Sequence, residues 1–229
     1  VAMAGQAARA QAVHGEATLS AADGFARLVL KLNQDVDSEV ALAGSILVIR
    51  FKRGEDVPVD RLAVAAPGYV SSVRRDPDGS AIRLALTRKV TVNSMVAGER
   101  LFIDLLPDSW KGAPPGLPQD VVRELAERAI EADPNLAEAH AAMGFVLAAQ
   151  QYRWKDGEEE FRKALNLNPD SGLTHGLYAL SVLAPHGRPE TLAEFRRALE
   201  LEPNSSFINF VYAFARSEEH TSELQSRQS

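Results

Sequence analysis

Apolar and polar residues alternate through the first half of the chain, and apolar residues recur every three or four positions through the second. In Phe25 to Leu32 every even position is apolar, while Arg27 and Lys31 fall on the other face. That is the pattern of an antiparallel strand with one buried face. Ser45 to Phe51 holds the continuous apolar run Ile46-Leu47-Val48-Ile49 and predicts a more central strand. Ala81 to Leu86, Val90 to Val96 and Arg100 to Leu106 alternate again, with Leu101, Ile103 and Leu105 sharing a face. Between the runs stand Ala22-Asp23-Gly24, Ala43-Gly44-Ser45, Asp76-Pro77-Asp78-Gly79 and Ala97-Gly98-Glu99, residues that tolerate positive φ or preset a turn. Six or so short strands at this spacing predict an antiparallel β-sandwich over residues 13–106. Arg61 to Ala66 reads equally as a strand or a single helical turn.

Pro107 to Gln119 is rich in proline and glycine, continues neither strand nor helix, and is read as a linker. Its aromatic residue, Trp110, is expected to fold back on the sheet edge, with ligand stacking as the alternative. From Asp120 the period becomes 3.6, with Val121, Val122, Leu125 and Ile130 on one helix face and Asn135 in position to cap the next helix. Pro134, Pro169 and Pro203 then recur at spacings of 35 and 34 residues, each after a similar helix ending. A fixed period of this size with two helices per period predicts a helix-turn-helix solenoid.

The residues within each period resemble the tetratricopeptide repeat. Gly144 behind Met143, and Ala179 behind Tyr178, supply the small residue where two helices cross. Gly157, Phe161, Ala164 and Pro169 match the second helix of the first full repeat, and Thr191, Phe195, Ala198 and Pro203 that of the next. His140 and His175 stand where the family usually has tryptophan. The resemblance implies a half repeat, two full repeats and the first helix of a third over residues 120–215. The whole chain is thus expected to be multidomain, an all-β sandwich followed by a truncated all-α solenoid. In this family the first helices line a concave groove, which maps onto Glu138, Ala141, Phe145 and Ala148, then Leu173, Gly176, Leu180 and Leu183. Such a groove is shallow and apolar and suits an apolar peptide or helix.

The β segment resembles the AMIN-type domain of exported bacterial envelope proteins, through Phe25 to Val29 and Glu99 to Leu105. That implies attachment to peptidoglycan or another envelope component. Residues 1–12 end in Ala8-Arg9-Ala10 and Ala10-Gln11-Ala12, the small-residue form of a signal-peptide remnant. A periplasmic or exported location follows if that reading holds, and a cytoplasmic one otherwise. Arg216 to Ser226 resembles the in-frame translation of a sequencing-adapter oligonucleotide, so residues 216–229 are expected to be disordered. A chain with such an end can also be a chimeric assembly of two genes.

Charge and chemistry narrow the function. Net charge is −6, and the helical half carries the acidic excess, with 11 Lys and Arg against 18 Asp and Glu from Gly112 onward. A basic stripe for nucleic acid is lacking, as are cysteine and any apolar run long enough for a membrane span. No phosphate loop, HExxH or GxSxG motif occurs. The scattered histidines argue against a metal site, and His140 and His175 are read as packing residues. Glu158 to Glu160 is read as a solvated run, and the pairs Arg74-Arg75 and Arg88-Lys89 as strand-end charges rather than an anion patch. The expectation is a protein without catalytic residues, cofactor or metal that binds a protein or peptide partner as an interaction scaffold. The alternatives are a wall-polymer-binding module carried by the β segment and an accessory fragment of a signalling protein.

Overall fold

A computed structural model describes residues 13–35 and 37–226, with side chains described as far as Arg216. The signal-peptide reading of residues 1–12 and the last three residues of the tail lie outside the described residues. The chain divides into two compact units, Val1–Leu117 and Pro118–Ser229.

The first unit holds nine strands among its described residues: β1 (Val13–Ala22), β2 (Phe25–Leu32), β3 (Ser38–Ala43), β4 (Ile46–Phe51), β5 (Glu55–Asp56), β6 (Val70–Arg75), β7 (Ala81–Leu86), β8 (Val90–Ala97) and β9 (Arg100–Pro107). They form a five-stranded sheet in the order β5-β1-β2-β9-β8 and a four-stranded sheet in the order β3-β4-β7-β6. All pairings are antiparallel except β1 with β5. Asp23 and Gly24 both have positive φ, 52° and 87°. Their two-residue turn sets Ala22 opposite Phe25, the geometry that matches strand twist in a hairpin. Arg61 to Ala66 resolves as one helical turn, α1 (Leu62–Ala65).

Burial follows the alternation. One apolar cluster takes Leu28, Leu30, Ile103 and Leu105 from the first sheet and Leu47, Ile49, Ile82 and Leu84 from the second. Each such side chain, fully withdrawn from water, contributes about 1.5–3 kcal/mol. Strand β9 departs from simple alternation, because Phe102, Asp104 and Leu106 on its other face are buried as well. The segment read as a linker accounts for part of this cover. Trp110 sets its ring edge against Phe25, 5.4 Å between centroids, and the Gly116 carbonyl accepts a hydrogen bond from Arg27 at 2.9 Å.

The second unit contains α2 (Gln119–Ala132), α3 (Ala137–Phe145), α4 (Trp154–Leu167), α5 (Gly172–Tyr178), α6 (Thr191–Leu201) and α7 (Ser206–Ser226). Helices α3 and α5 each run on into a wider i to i+5 turn, Val146–Gln150 and Ala179–Leu183. Consecutive helices pack through small residues. A Cβ on Gly157 would lie 2.7 Å from the Ala148 Cβ, and one on Gly144 would lie 3.0 Å from the Phe161 ring. Phe161, Ala164, Phe195 and Ala198 are fully buried. Helix α7 continues to Ser226. Its run of glutamate, leucine and glutamine favours helix, and propagation from an existing helix avoids the cost of nucleation.

Candidate functional site: the helical repeats

Each repeat begins at a turn built the same way. The amide of the residue before proline closes on the helix behind it: Asp133 onto the Ala129 carbonyl at 2.9 Å, Asn168 onto Ala164 at 2.8 Å, Glu202 onto Ala198 at 2.9 Å. The Asp133 side chain then accepts from the Asn135 amide at 2.9 Å, and Asn168 from Asp170 at 3.2 Å. Asn135 is therefore held by its neighbour, while Leu136 occupies the helix-capping position without a side-chain bond. Ser171 does cap α5, accepting from the Thr174 amide at 3.2 Å.

The two repeat histidines bind equivalent partners. His140 Nδ1 lies 2.6 Å from Glu160 Oε2 and its Nε2 lies 2.9 Å from the Pro134 carbonyl. His175 Nδ1 lies 2.5 Å from Glu194 Oε2 and its Nε2 lies 2.9 Å from the Pro169 carbonyl. The hydrogen bond to Glu194 raises the His175 pKa against the opposing effect of burial. Burial works to raise Glu160, but hydrogen bonds from His140 and Lys163 outweigh it and hold its pKa below the usual value. These side chains sit where packing was expected, yet they are cross-links between helices. Glu160 was read as part of a solvated run and Glu194 was not singled out, although each immediately precedes the large ring of its repeat, Phe161 or Phe195.

Glu158 is likewise more than a solvated charge. Its Oε1 accepts from Arg162 at 2.8 Å, from the Tyr178 hydroxyl at 3.1 Å and from Arg188 at 3.3 Å.

The eight residues mapped to the groove separate into two groups. Ala141, Ala148, Gly176 and Leu183 are buried. Ala148 lies against Gly157, Gly176 faces Ile208 and Ala198, and Leu183 joins a cluster with Phe161, Tyr178 and Val182. Close helix packing takes these four out of any groove. Glu138 and Leu173 are exposed, and Phe145 and Leu180 are half-buried. The same register continues on α7 at Phe207 and Phe214, 38% and 56% exposed, while Phe210, in register with the buried Ala141 and Gly176, is 69% exposed. Ile208 and Val211, on the adjoining stripe of α7, are buried.

In the β unit three of the four paired cations are engaged. Arg75 bonds Asp56, Lys89 lies 3.5 Å from Asp108, and Arg88 stacks over the Tyr69 ring at 4.6 Å. Among the described residues no three His, Asp or Glu side chains are grouped to hold a metal. No described helix is long and apolar enough to cross a membrane.

No family model matches the chain, and no curated protein matches it. Solved structures that it resembles are tetratricopeptide domains and proteins. The first TPR of Spaghetti (RPAP3), bound to an HSP90 peptide, is 17% identical over 44% of this chain and 82% of that one, with a TM-score of 0.40. The Arabidopsis OM64 TPR domain is 16% identical over 44% and 82%, with a TM-score of 0.39. A MamA structure (AMB-1) is 22% identical over 44% and 55%, with a TM-score of 0.35.

Proposed function

We propose that the helical unit is a tetratricopeptide-type solenoid and a non-catalytic interaction scaffold that takes an apolar peptide or the apolar face of a helix. The observation that carries this reading is the register of the apolar residues left exposed or half-buried. Leu173 and Phe207 occupy one repeat position, and Phe145, Leu180 and Phe214 another. Their neighbours Ile208 and Val211 are spent on packing, so the exposed set lies on one side of the first helices. A contiguous apolar patch of this kind is a usual mark of a protein-binding surface. Panning the full chain against a random peptide library tests it. Enriched peptides rich in leucine and aromatic residues should bind the wild type and lose affinity at least tenfold on Leu173→Asp with Phe210→Asp. Enriched peptides indifferent to both substitutions would refute the assignment.

We further propose that the two sheets form a β-sandwich which places the protein at the cell envelope. Support comes from pairing: the segments that carry the AMIN-like resemblance, Phe25 to Val29 and Glu99 to Leu105, lie side by side as β2 and β9, with Leu28 opposite Ile103. Sedimentation of the full chain with purified peptidoglycan is the test, and absence of retention would end the wall-binding reading.

A further inference from the structure

His140 and His175 are each flanked by two acceptors. On the Nε2 side stands a backbone carbonyl, Pro134 or Pro169, at 2.9 Å. A carbonyl has no proton to give, so Nε2 carries one and donates it. On the Nδ1 side stands a carboxylate oxygen, Glu160 at 2.6 Å or Glu194 at 2.5 Å. Without a proton in that contact, a nitrogen lone pair would face a carboxylate lone pair. Each site therefore holds two protons for its two bonds. Imidazolium with carboxylate and neutral imidazole with carboxylic acid contain the same number, one more than the neutral histidine and ionised glutamate of an unfolded chain near pH 8.

We propose that this extra proton locks the first helix of each full repeat to its second helix and to the preceding turn, making the helical unit a pH-sensitive element that loosens as pH rises. The third repeat shows what the position does without a titrating ring. Asn209, in register with the two histidines, donates from Nδ2 to the Pro203 carbonyl at 2.9 Å and to the Ser205 carbonyl at 2.9 Å. The carbonyl bond is thus common to all three turns, and in the third it is made by an amide that does not titrate.

The charged groups around the rings set the direction. His140 faces Glu160, whose other oxygen takes Lys163 of the same helix at 2.6 Å. His175 faces Glu194 and feels Arg197 of α6, which is itself bound to Asp170 of the preceding turn at 2.9 Å. In both sites the carboxylate is the direct partner and the cation the more distant one. His175 then keeps its proton above the ordinary histidine value of ~6.5. The stabilisation is fully present below that value and is lost as pH rises through the folded one.

Urea unfolding of the full chain, followed by helical circular dichroism from pH 5.5 to 9, is the test. Between the unfolded and folded titration points of His175 the unfolding constant should rise by up to about tenfold per pH unit. His140→Asn with His175→Asn, copying Asn209, should flatten that dependence. Nitrogen-15 imidazole spectra give a second reading that needs no stable double variant. The His175 ring of the wild type should show Nδ1 and Nε2 protonated at pH 7, and Glu194→Gln should bring its signals to those of a neutral ring. A bare Nδ1 at pH 6 in the wild type, or an unchanged pH slope in the double variant, would overturn the proposal.

Discussion

Arg27 and Asp104 stand directly opposite each other on β2 and β9, joined by two hydrogen bonds of 2.6 and 2.9 Å. The Asp104 side chain is wholly buried. Asn93 reaches the same carboxylate at 3.3 Å, and the guanidinium lies 5.4 Å from the Phe25 ring and 5.7 Å from the Phe102 ring. Two aromatic rings, the Gly116 carbonyl and an ion pair thus finish the face of the sheet that alternation alone would leave wet.

Asp104→Ala strands Arg27 among those rings and should cost about 3–5 kcal/mol, as breaking a buried pair does. Arg27→Leu combined with Asp104→Leu removes both charges and should cost distinctly less than Asp104→Ala. Equal losses in urea unfolding would mean that water reaches the pair.

Glu55 is 3% exposed. Its Oε2 accepts from the Val57 amide at 2.8 Å, and its Oε1 has no partner. Burial raises the carboxyl above its ordinary value. The folded state therefore binds a proton that the unfolded chain releases from about pH 4.3 upward. Stability should fall from there until pH passes the folded value, and stay level beyond it. Glu55→Gln, which keeps an acceptor for Val57, should remove that slope and be the more stable protein at pH 7. A slope that survives the substitution would assign it to another carboxylate.

Gly157→Ala should destabilise the helical unit although alanine is the better helix former by about 1 kcal/mol. The added methyl meets the Ala148 Cβ, the Ala148 amide nitrogen at 2.9 Å and the Gly144 carbonyl at 2.9 Å. Overpacking of this kind costs about 1–3 kcal/mol. Ala148→Gly should restore only part of the loss, since two of the three obstacles are backbone atoms. Full restoration would show that the helices separate freely.

Phe195 and Phe210 make a contrasting pair on the same unit. Phe195 has no exposed surface, whereas Phe210 is 69% exposed. Phe195→Ala should cost about 3–5 kcal/mol, and Phe210→Ala should fall within about 0.5 kcal/mol of the wild type. A large loss at Phe210 in thermal unfolding would place it in packing and withdraw it from the binding surface.

Where a segment has a single duty its pattern could be read directly. Leu28, Leu30, Ile103 and Leu105 announce β2 and β9 because one face is core. Pro134, Pro169 and Pro203 announce the repeats because only a turn accepts them. Strands β1 and β6 were harder to see, since Val13 and Leu19 are the buried residues of the first and Val70 of the second, leaving little alternation. The groove was mapped by repeat position, which fixes direction around a helix but not how near the next helix comes. Gly157 and Ile208 come near enough to cover Ala148 and Gly176. The glutamate partners of His140 and His175 lie 20 and 19 residues away, beyond the reach of any local pattern.

Glu158 gives the array a property that no single repeat possesses. Its carboxylate on α4 is shared with Tyr178 on α5 and with Arg188 ahead of α6, so fraying of the later repeat strands a charge on the earlier one. Linear arrays unfold piecemeal when the coupling between neighbours is weak and as a block when it is strong. The two donors that the later repeat places on Glu158 set this pair of repeats toward the second behaviour, one melting transition instead of two.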